Sequence, residues 1–421
     1  MIEESRRDLL ETKSSVLIVS TMDTKSEEAS FLKECLEGED IKVQILDAGI
    51  MGNSPFPVDI SRDSVASAAG SSLGAVQNMG HEGKALDVMI SGAIKCAGDL
   101  YENGEIQGVI GIGGSMGTSL GTAVMRIFPV GFPKVMISTM ASRNTRPFVG
   151  TKDIMMLHSV CDLSGLNRIT RKVLREGALA IAGMANGGEI TSSDDRPLAV
   201  VSTLGTTESC LISVRQALEA RGMEVVTFHT VGSGGEAMDE VIREEDVELV
   251  VDLSLHELVD HFLGGDYDAG PNRGLAALEK GIPTILVPGN TDFLVTGPLA
   301  LAKERFAGRR MHAHNAAITA VGTNQREMED LARLISEMCK KARGPVAVLV
   351  PMGGFSAFNS LGGPLEDPDV RREFAKALRA SLPEGIRYVE SGHHINDPEF
   401  AMEIMDCVKD LVGTSETVSA Q

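Results

Sequence analysis

The chain has no tryptophan, and aromatic residues make up only 4% of it. Large rings cannot dominate its interior, so the cores must be built from Val, Ile, Leu, Met and Ala. Cysteine is scarce too: Cys35, Cys96, Cys161, Cys210, Cys339 and Cys407 are scattered, with no CxxC pair. That spacing argues against a structural zinc site or a disulfide framework and for reduced, buried thiols. No run of about 18 apolar residues occurs, and the opening MIEESRRDLLETKSS lacks an apolar signal core. A soluble, cytoplasmic protein is expected. Positive charge is in deficit, with 39 Lys plus Arg against 59 Asp plus Glu, for a formal net charge of −20. Such a field repels nucleic acid and anionic lipid, so neither is an expected partner. A nucleotide remains possible, because a local nest of N–H groups with one cation can hold phosphates on an acidic protein.

What is present reads as α/β. At 421 residues, with 45 glycines, the chain is long enough for two domains with many tight turns. SVLIVST (Ser15 to Thr21), Ile41–Leu46, Gly108–Gly113 and Lys134–Met140 read as buried parallel strands. Helices are expected over Glu27–Glu37 and Leu86–Leu100. Ala141–Asp153 reads as a loop, and the region from there to Ala185 as helical. Asn186–Pro197 (NGGEITSSDDRP) is the one composition break. It sets a linker at 186–197 between an N-terminal Rossmann-like nucleotide-binding domain, 1–185, and a C-terminal α/β domain, 198–421. Residues 1–14 read as a polar lead-in and Gly413–Gln421 as a frayed tail.

After the break the chain begins again. Leu198 onward lies over Val16 onward without a gap, placing Ser202 on Ser20, Thr203 on Thr21 and His229 on Asp47. Val247–Ser254 then corresponds to the strand at Gly108, and Pro283–Asn290 to KVMISTM. The shared order favours two Rossmann-like lobes with parallel sheets, related by internal duplication. Further along, helices are expected over Glu236–Glu245, Ala316–Ala342 and Asp369–Ala380, with strands at Val346–Val350 and Ile386–Val389.

The stretch GVIGIGGSMGTSLGTAVM (Gly108 to Met125) reads as strand, glycine turn and helix N-terminus, where N–H groups and the helix dipole attract an anion. Two other strand ends would meet it at the same sheet edge. Candidate ligand contacts are therefore Thr21, Asp23, Thr24 and Lys25; Gly113, Gly114, Ser115, Met116, Gly117 and Thr118; and Ser138, Thr139 and Met140. Lys25 can neutralise a phosphate, and Asp23 is the candidate Mg²⁺ ligand. No Lys follows the glycines, so this is not a Walker loop, and GxGxxG is missing at the first strand. The competing reading is that the glycines serve strand–helix packing and the hydroxyls cap helices.

In the second lobe His312, His314 and Asn315, the run SLHELVDH (Ser254 to His261) and the pair His393–His394 gather six of the nine histidines. His256 and Asp260 stand one helical turn apart. H-E-x-x-D-H is not HExxH, so a polar cleft is expected rather than a zinc site. The turns after Pro288 and Pro351 add Asp292 and further glycines. His312, His314, Asn315 and Asp292 are the candidate acid–base groups, while Cys210 is expected on a buried helix face.

VSTMDTK, GIGGSMGTSLGTAVM, KVMISTMAS with FVGTKDIMMLHSVCDLSGLN, and PGNTDF with MHAHN together resemble the Tm-one-like ATP-binding family, over about Val16 to Val412. That family takes its name from a plant protein that resists tobamoviruses. The resemblance implies a two-lobed, Rossmann-like homodimer with ATP and Mg²⁺ held in the first lobe by the residues just named. Longer members add a barrel domain resembling phosphoenolpyruvate hydrolases. This chain ends before one, so any activity housed there is expected to be absent or to reside on a separate polypeptide, a phosphoenolpyruvate-hydrolase-like barrel partner. Antiviral activity does not transfer, since motifs do not encode it. The expectation is an ATP-binding protein acting as a weak or partner-dependent ATPase or phosphotransfer enzyme. The alternatives are a hydrolase or lyase of a small carbonyl or carboxylate substrate, and a non-catalytic nucleotide-stabilised dimer.

Overall fold

The computed structural model describes residues 14–188 and 195–413. The lead-in through residue 13, the middle of the 186–197 linker (189–194) and the tail from 414 lie outside the described residues. The chain divides into two compact units, Met1–Ser192 and Ser193–Gln421.

The first unit runs β1 (Ser15–Ser20), α1 (Ser26–Glu37), β2 (Lys42–Asp47), α2 (Arg62–Ala68), α3 (Leu73–Gln77), α4 (Glu82–Glu102), β3 (Gly108–Gly113), α5 (Ser115–Met125), β4 (Lys134–Ser138), α6 (Arg146–Val149), β5 (Met155–His158) and α7 (Thr170–Asn186). Its five strands form one parallel sheet in the order β2-β1-β3-β4-β5. Strand side chains alternate between faces, and both faces are covered. Val16, Ile18, Ile110 and Ile112 pack with Leu32 and Leu36 of α1 and Leu174 and Ile181 of α7. Leu17, Val19 and Val109 pack with Met89 of α4 and Leu120 and Val124 of α5. This is why β1 and β3 read as unbroken apolar runs. β5 lies where only helix was expected: its MMLH is four residues long and half-exposed at the sheet edge, so no buried run announces it.

The second unit continues with β6 (Leu198–Thr203), α8 (Glu208–Glu219), β7 (Glu224–His229), α9 (Ser233–Glu244), β8 (Val247–Ser254), α10 (His256–Leu263), α11 (Leu275–Lys280) and β9 (Thr284–Gly289). Then come β10 (Phe293–Thr296), α12 (Leu299–Arg305), β11 (Met311–Ala313), β12 (Thr319–Gly322), α13 (Gln325–Cys339), β13 (Val346–Pro351), α14 (Pro368–Ser381), β14 (Arg387–Ser391) and α15 (Pro398–Val412). Six parallel strands take the order β14-β13-β9-β8-β6-β7, and β10-β12-β11 form a small antiparallel sheet. The helix expected over Ala316–Ala342 is shortened. β12 uses its first residues, and Asn324 starts α13 with a capping box to Glu327.

The strands matched by the sequence repeat, β1 with β6, β2 with β7, β3 with β8 and β4 with β9, hold the same places in their sheets. Both units are Rossmann-like parallel α/β folds. Among the described residues no helix is long and apolar enough to cross a membrane.

Candidate functional site

In the first sheet the chain steps from β1 outward to β2 and returns on the far side of β1 to make β3. The crevice beyond the carboxyl ends of β1 and β3 is thus the switch point of the fold, where ligands of open α/β sheets bind. A cavity of about 620 Å³ opens there, lined by Thr21, Asp23, Thr24 and Lys25 after β1 and by Gly113 through Gly117 after β3. Its outer wall is one the sequence did not point to: Val76 and Gln77 of α3, and His81, Glu82, Ala85 and Leu86 at the start of α4. What marks the stretch in the sequence is a scatter of glycines, Gly70, Gly74, Gly80 and Gly83.

Two long helices begin at this cavity without a side-chain cap. Lys25 precedes α1 and Gly114 precedes α5, and neither helix has a side-chain hydrogen bond at its N-cap. The first-turn N–H groups of such ends have no partner within the helix and carry its positive dipole end. Among the described residues Lys25 Nζ reaches only the Thr24 carbonyl, at 3.3 Å.

The glycines divide between the two readings of the sequence. A Cβ on Gly111 would come within 2.7 Å of Met136, and one on Gly113 within 2.6 Å of Gly117. Gly113 thus lets α5 lie against β3, while Gly111 makes room for the Met136 side chain of β4. Gly114 is different: its φ is −81°, and a Cβ there meets nothing closer than Thr139 Oγ1 at 3.8 Å. Packing does not require glycine at this position.

Other candidates support the loop from behind. Thr118 and Ser138 are buried and join hydroxyls at 2.6 Å, and Ser138 accepts the Met140 N–H. These three and Thr139 are not among the residues lining the cavity. Thr21 and Thr24 join hydroxyls at 3.1 Å. Asp23 Oδ2 accepts the N–H groups of Ile50 and Met51, each at 3.1 Å, so one carboxylate oxygen already anchors the loop after β2. Ser115 and Met116 are exposed at the rim. Among the described residues no three His, Cys, Asp or Glu side chains gather as a metal-binding group.

In the second unit the corresponding switch point, between β6 and β8, is built from internal charges. Arg273 is buried; its guanidinium binds both Asp252 oxygens at 2.7 and 2.9 Å and Glu257 Oε2 at 2.6 Å. Glu257 Oε1 in turn accepts the N–H of Gly232 and of Gly235 at the start of α9. Burial raises the Glu257 carboxyl, with Arg273 acting against it. Nothing in the polar stretch around Arg273 marked it in the sequence. His256 donates from Nδ1 to the Asn290 carbonyl at 2.8 Å and sets Nε2 3.5 Å from Asp260. Burial opposes its charging, but Asp260 carries its pKa above the usual value. Both Asp260 oxygens also accept backbone N–H groups, from Tyr267 and Val295. This pair fastens loops rather than lining an opening.

His312 lies against the Phe358 ring at 4.6 Å, while His314 and Asn315 are exposed in the turn between β11 and β12. Asp292 stands apart from them, 6% exposed, accepting from Ser356 Oγ at 2.6 Å. It lines a cavity to which His312, His314 and Asn315 do not contribute. Cys210 is buried in α8, where burial pushes its thiol up to about 12.

Burial pushes the Asp292 carboxyl up to about 6, with the Ser356 hydrogen bond working against it. Because the folded state holds this proton more tightly than the unfolded chain, the group stabilises below pH 4. That contribution is lost as pH rises to 6. Between pH 4 and 7, Asp292→Asn should gain about 3 kcal/mol on the wild type in denaturant unfolding. A constant difference across that range would refute the shift.

Comparison with known proteins places the chain. The N-terminal domain of the Uncharacterised protein family (UPF0261) matches residues 14–189, and its C-terminal domain matches 196–412. A UPF0261 protein of Clostridium tetani is 35% identical over 92% of this chain and 96% of its own length. The ToMV resistance protein Tm-1(GCR237) of Solanum lycopersicum is 34% identical over 75% of this chain and 43% of its own. A solved MurG of Acinetobacter baumannii overlaps 94% of this chain and 99% of its own at 12% identity, with a TM-score of 0.24, too low to bear on function. With both domains matched in order and a relative 35% identical over 92% of it, the chain belongs to the UPF0261 family.

Proposed function

We propose that the first unit binds ATP together with Mg²⁺ in the cytoplasm, in the cavity beyond β1 and β3, and that the protein acts as a nucleotide-dependent homodimer. The observation that carries this reading is the meeting of two uncapped helix ends and Lys25 at one switch-point cavity of about 620 Å³. Backbone N–H groups at such ends suit phosphate oxygens. The volume lies within the roughly 300–1,000 Å³ usual for small-molecule sites. Ile50, Val76, Ala85 and Leu86 supply an apolar wall for a base. The absence of a steric need for glycine at Gly114 fits close approach of a phosphate to its backbone. Mg²⁺ would be held by the phosphates and by Asp23, and would supply charge neutralisation there. The dimer and the identity of the nucleotide draw on the family resemblance, and the six free cysteines suit a reducing compartment.

The test is thermal. At a concentration 100 times the dissociation constant, MgATP should add about 2.7 kcal/mol to the first unit's stability. That is a rise of roughly 5–10 °C in its melting temperature. Lys25→Met should weaken MgATP binding about tenfold or more, as expected for loss of a charged hydrogen bond. No shift with the wild type, together with no nucleotide among the small molecules released on denaturation, would refute the reading.

A further inference from the structure

The cavity beside Asp292 has a charge arrangement that the rest of the second unit does not explain. It measures about 190 Å³ and lies beyond the carboxyl ends of the adjacent strands β9 and β13. Asp292, which follows β9, forms part of its wall and keeps Oδ1 without a hydrogen-bond partner. Arg371 of α14 forms another part and is also 6% exposed. Its Nε donates to the Met352 carbonyl, and one terminal nitrogen donates to the Asn359 carbonyl and side chain. All these acceptors are neutral. Two other arginines on the wall are matched by carboxylates, Arg309 by Glu327 and Arg310 by Asp367. Among the described residues Arg371 has no ion-pair partner.

A nearly buried guanidinium and a nearly buried carboxylate therefore border one small cavity without pairing with each other. Each feels the other's charge but makes no direct bond to it; buried charges are costly unless directly paired, so the arrangement suits a molecule that carries both complements. We propose that this cavity binds a small α-amino acid as its zwitterion, the ammonium at Asp292 and the carboxylate at Arg371. The size agrees: the cavity is several times the roughly 30 Å³ that one water occupies in the liquid, room for a molecule of several non-hydrogen atoms. Alanine has six non-hydrogen atoms. Phe355, Leu365 and Val370 supply apolar wall for its methyl group, and Thr323 and Asn324 offer further polar atoms. This site lies wholly within the second unit and does not depend on nucleotide binding in the first.

The experiment is calorimetric titration of the full chain at pH 7.5 with L-alanine, N-acetyl-L-alanine and L-alanine methyl ester. L-alanine should bind. The acetyl derivative lacks the ammonium and the ester lacks the carboxylate, so each should bind at least tenfold more weakly. Asp292→Asn and Arg371→Gln should each lower L-alanine affinity at least tenfold while leaving the MgATP thermal shift unchanged. Glycine and L-serine are the companion probes, since both fit the same volume. No heat with all three amino acids would overturn the proposal. So would equal binding of the blocked derivatives, a comparison that needs only the wild type and stands even where a variant fails to fold.

Discussion

Arg273→Ala should destabilise the second unit by about 3–5 kcal/mol, the range seen when one partner is removed from a buried ion pair. The guanidinium is fully enclosed and satisfies two carboxylates, Asp252 and Glu257. Asp239, whose own carboxyl is raised by burial, feels its charge as well. Without Arg273 these acids remain buried with its attraction gone, and the Glu257 and Asp239 carboxyls, already raised by burial, rise further. A carboxyl raised in the folded state stabilises at low pH and loses that contribution as pH rises. The variant should therefore be least impaired near pH 5 and most impaired near pH 8. Chemical unfolding of wild type and variant at both pH values measures the effect. For contrast, Arg333→Ala, which breaks only exposed pairs with Glu329 and Asp330, should cost about 0.5 kcal/mol or less. Equal losses for the two would show that the buried network has no special weight.

The second large effect separates two glycines that stand side by side. Gly114→Val adds a branched side chain where the protein has room but where a phosphate is proposed to lie. Its stability cost should be about 1 kcal/mol, that of a poor N-cap residue. Its affinity for MgATP should fall by at least a hundredfold. Gly113→Ala behaves in the opposite sense. Its Cβ would press on Gly117 at 2.6 Å and push α5 away from β3, costing about 1–3 kcal/mol. Melting curves with and without MgATP read both quantities at once. Undiminished nucleotide stabilisation of Gly114→Val would remove the phosphate from this turn.

These two glycines also show where sequence reading reached its limit. Both were visible as a glycine turn between a strand and a helix. Which one serves packing and which one borders the cavity depends on the distance between α5 and β3, and no local pattern encodes that. The parallel sheets were legible because strands covered on both faces become unbroken apolar runs. β5 and β12 were missed because each has only four residues, and β5 is half-exposed. The three-turn grouping around Lys25 was legible from strand ends alone. The α3–α4 wall was not, because residues such as Val76 and Ala85 reach the cavity through tertiary packing. In the second lobe, histidines close in sequence suggested a shared site. The structure puts His256 in the core, His314 at the surface and Asp292 in the wall of a cavity that Arg371, far along the chain, also lines.

The Glu257–Arg273 centre also bears on how the two units respond to their surroundings. Glu257 places a covalently attached carboxylate against the N–H groups at the start of α9. An anion fixed in the sequence cannot be diluted, dialysed away or exchanged for another. The second unit therefore owes that part of its cohesion to the gene alone. On the proposed reading, the first unit takes the anion for its helix ends from solution, and its resistance to unfolding and proteolysis tracks metabolite supply.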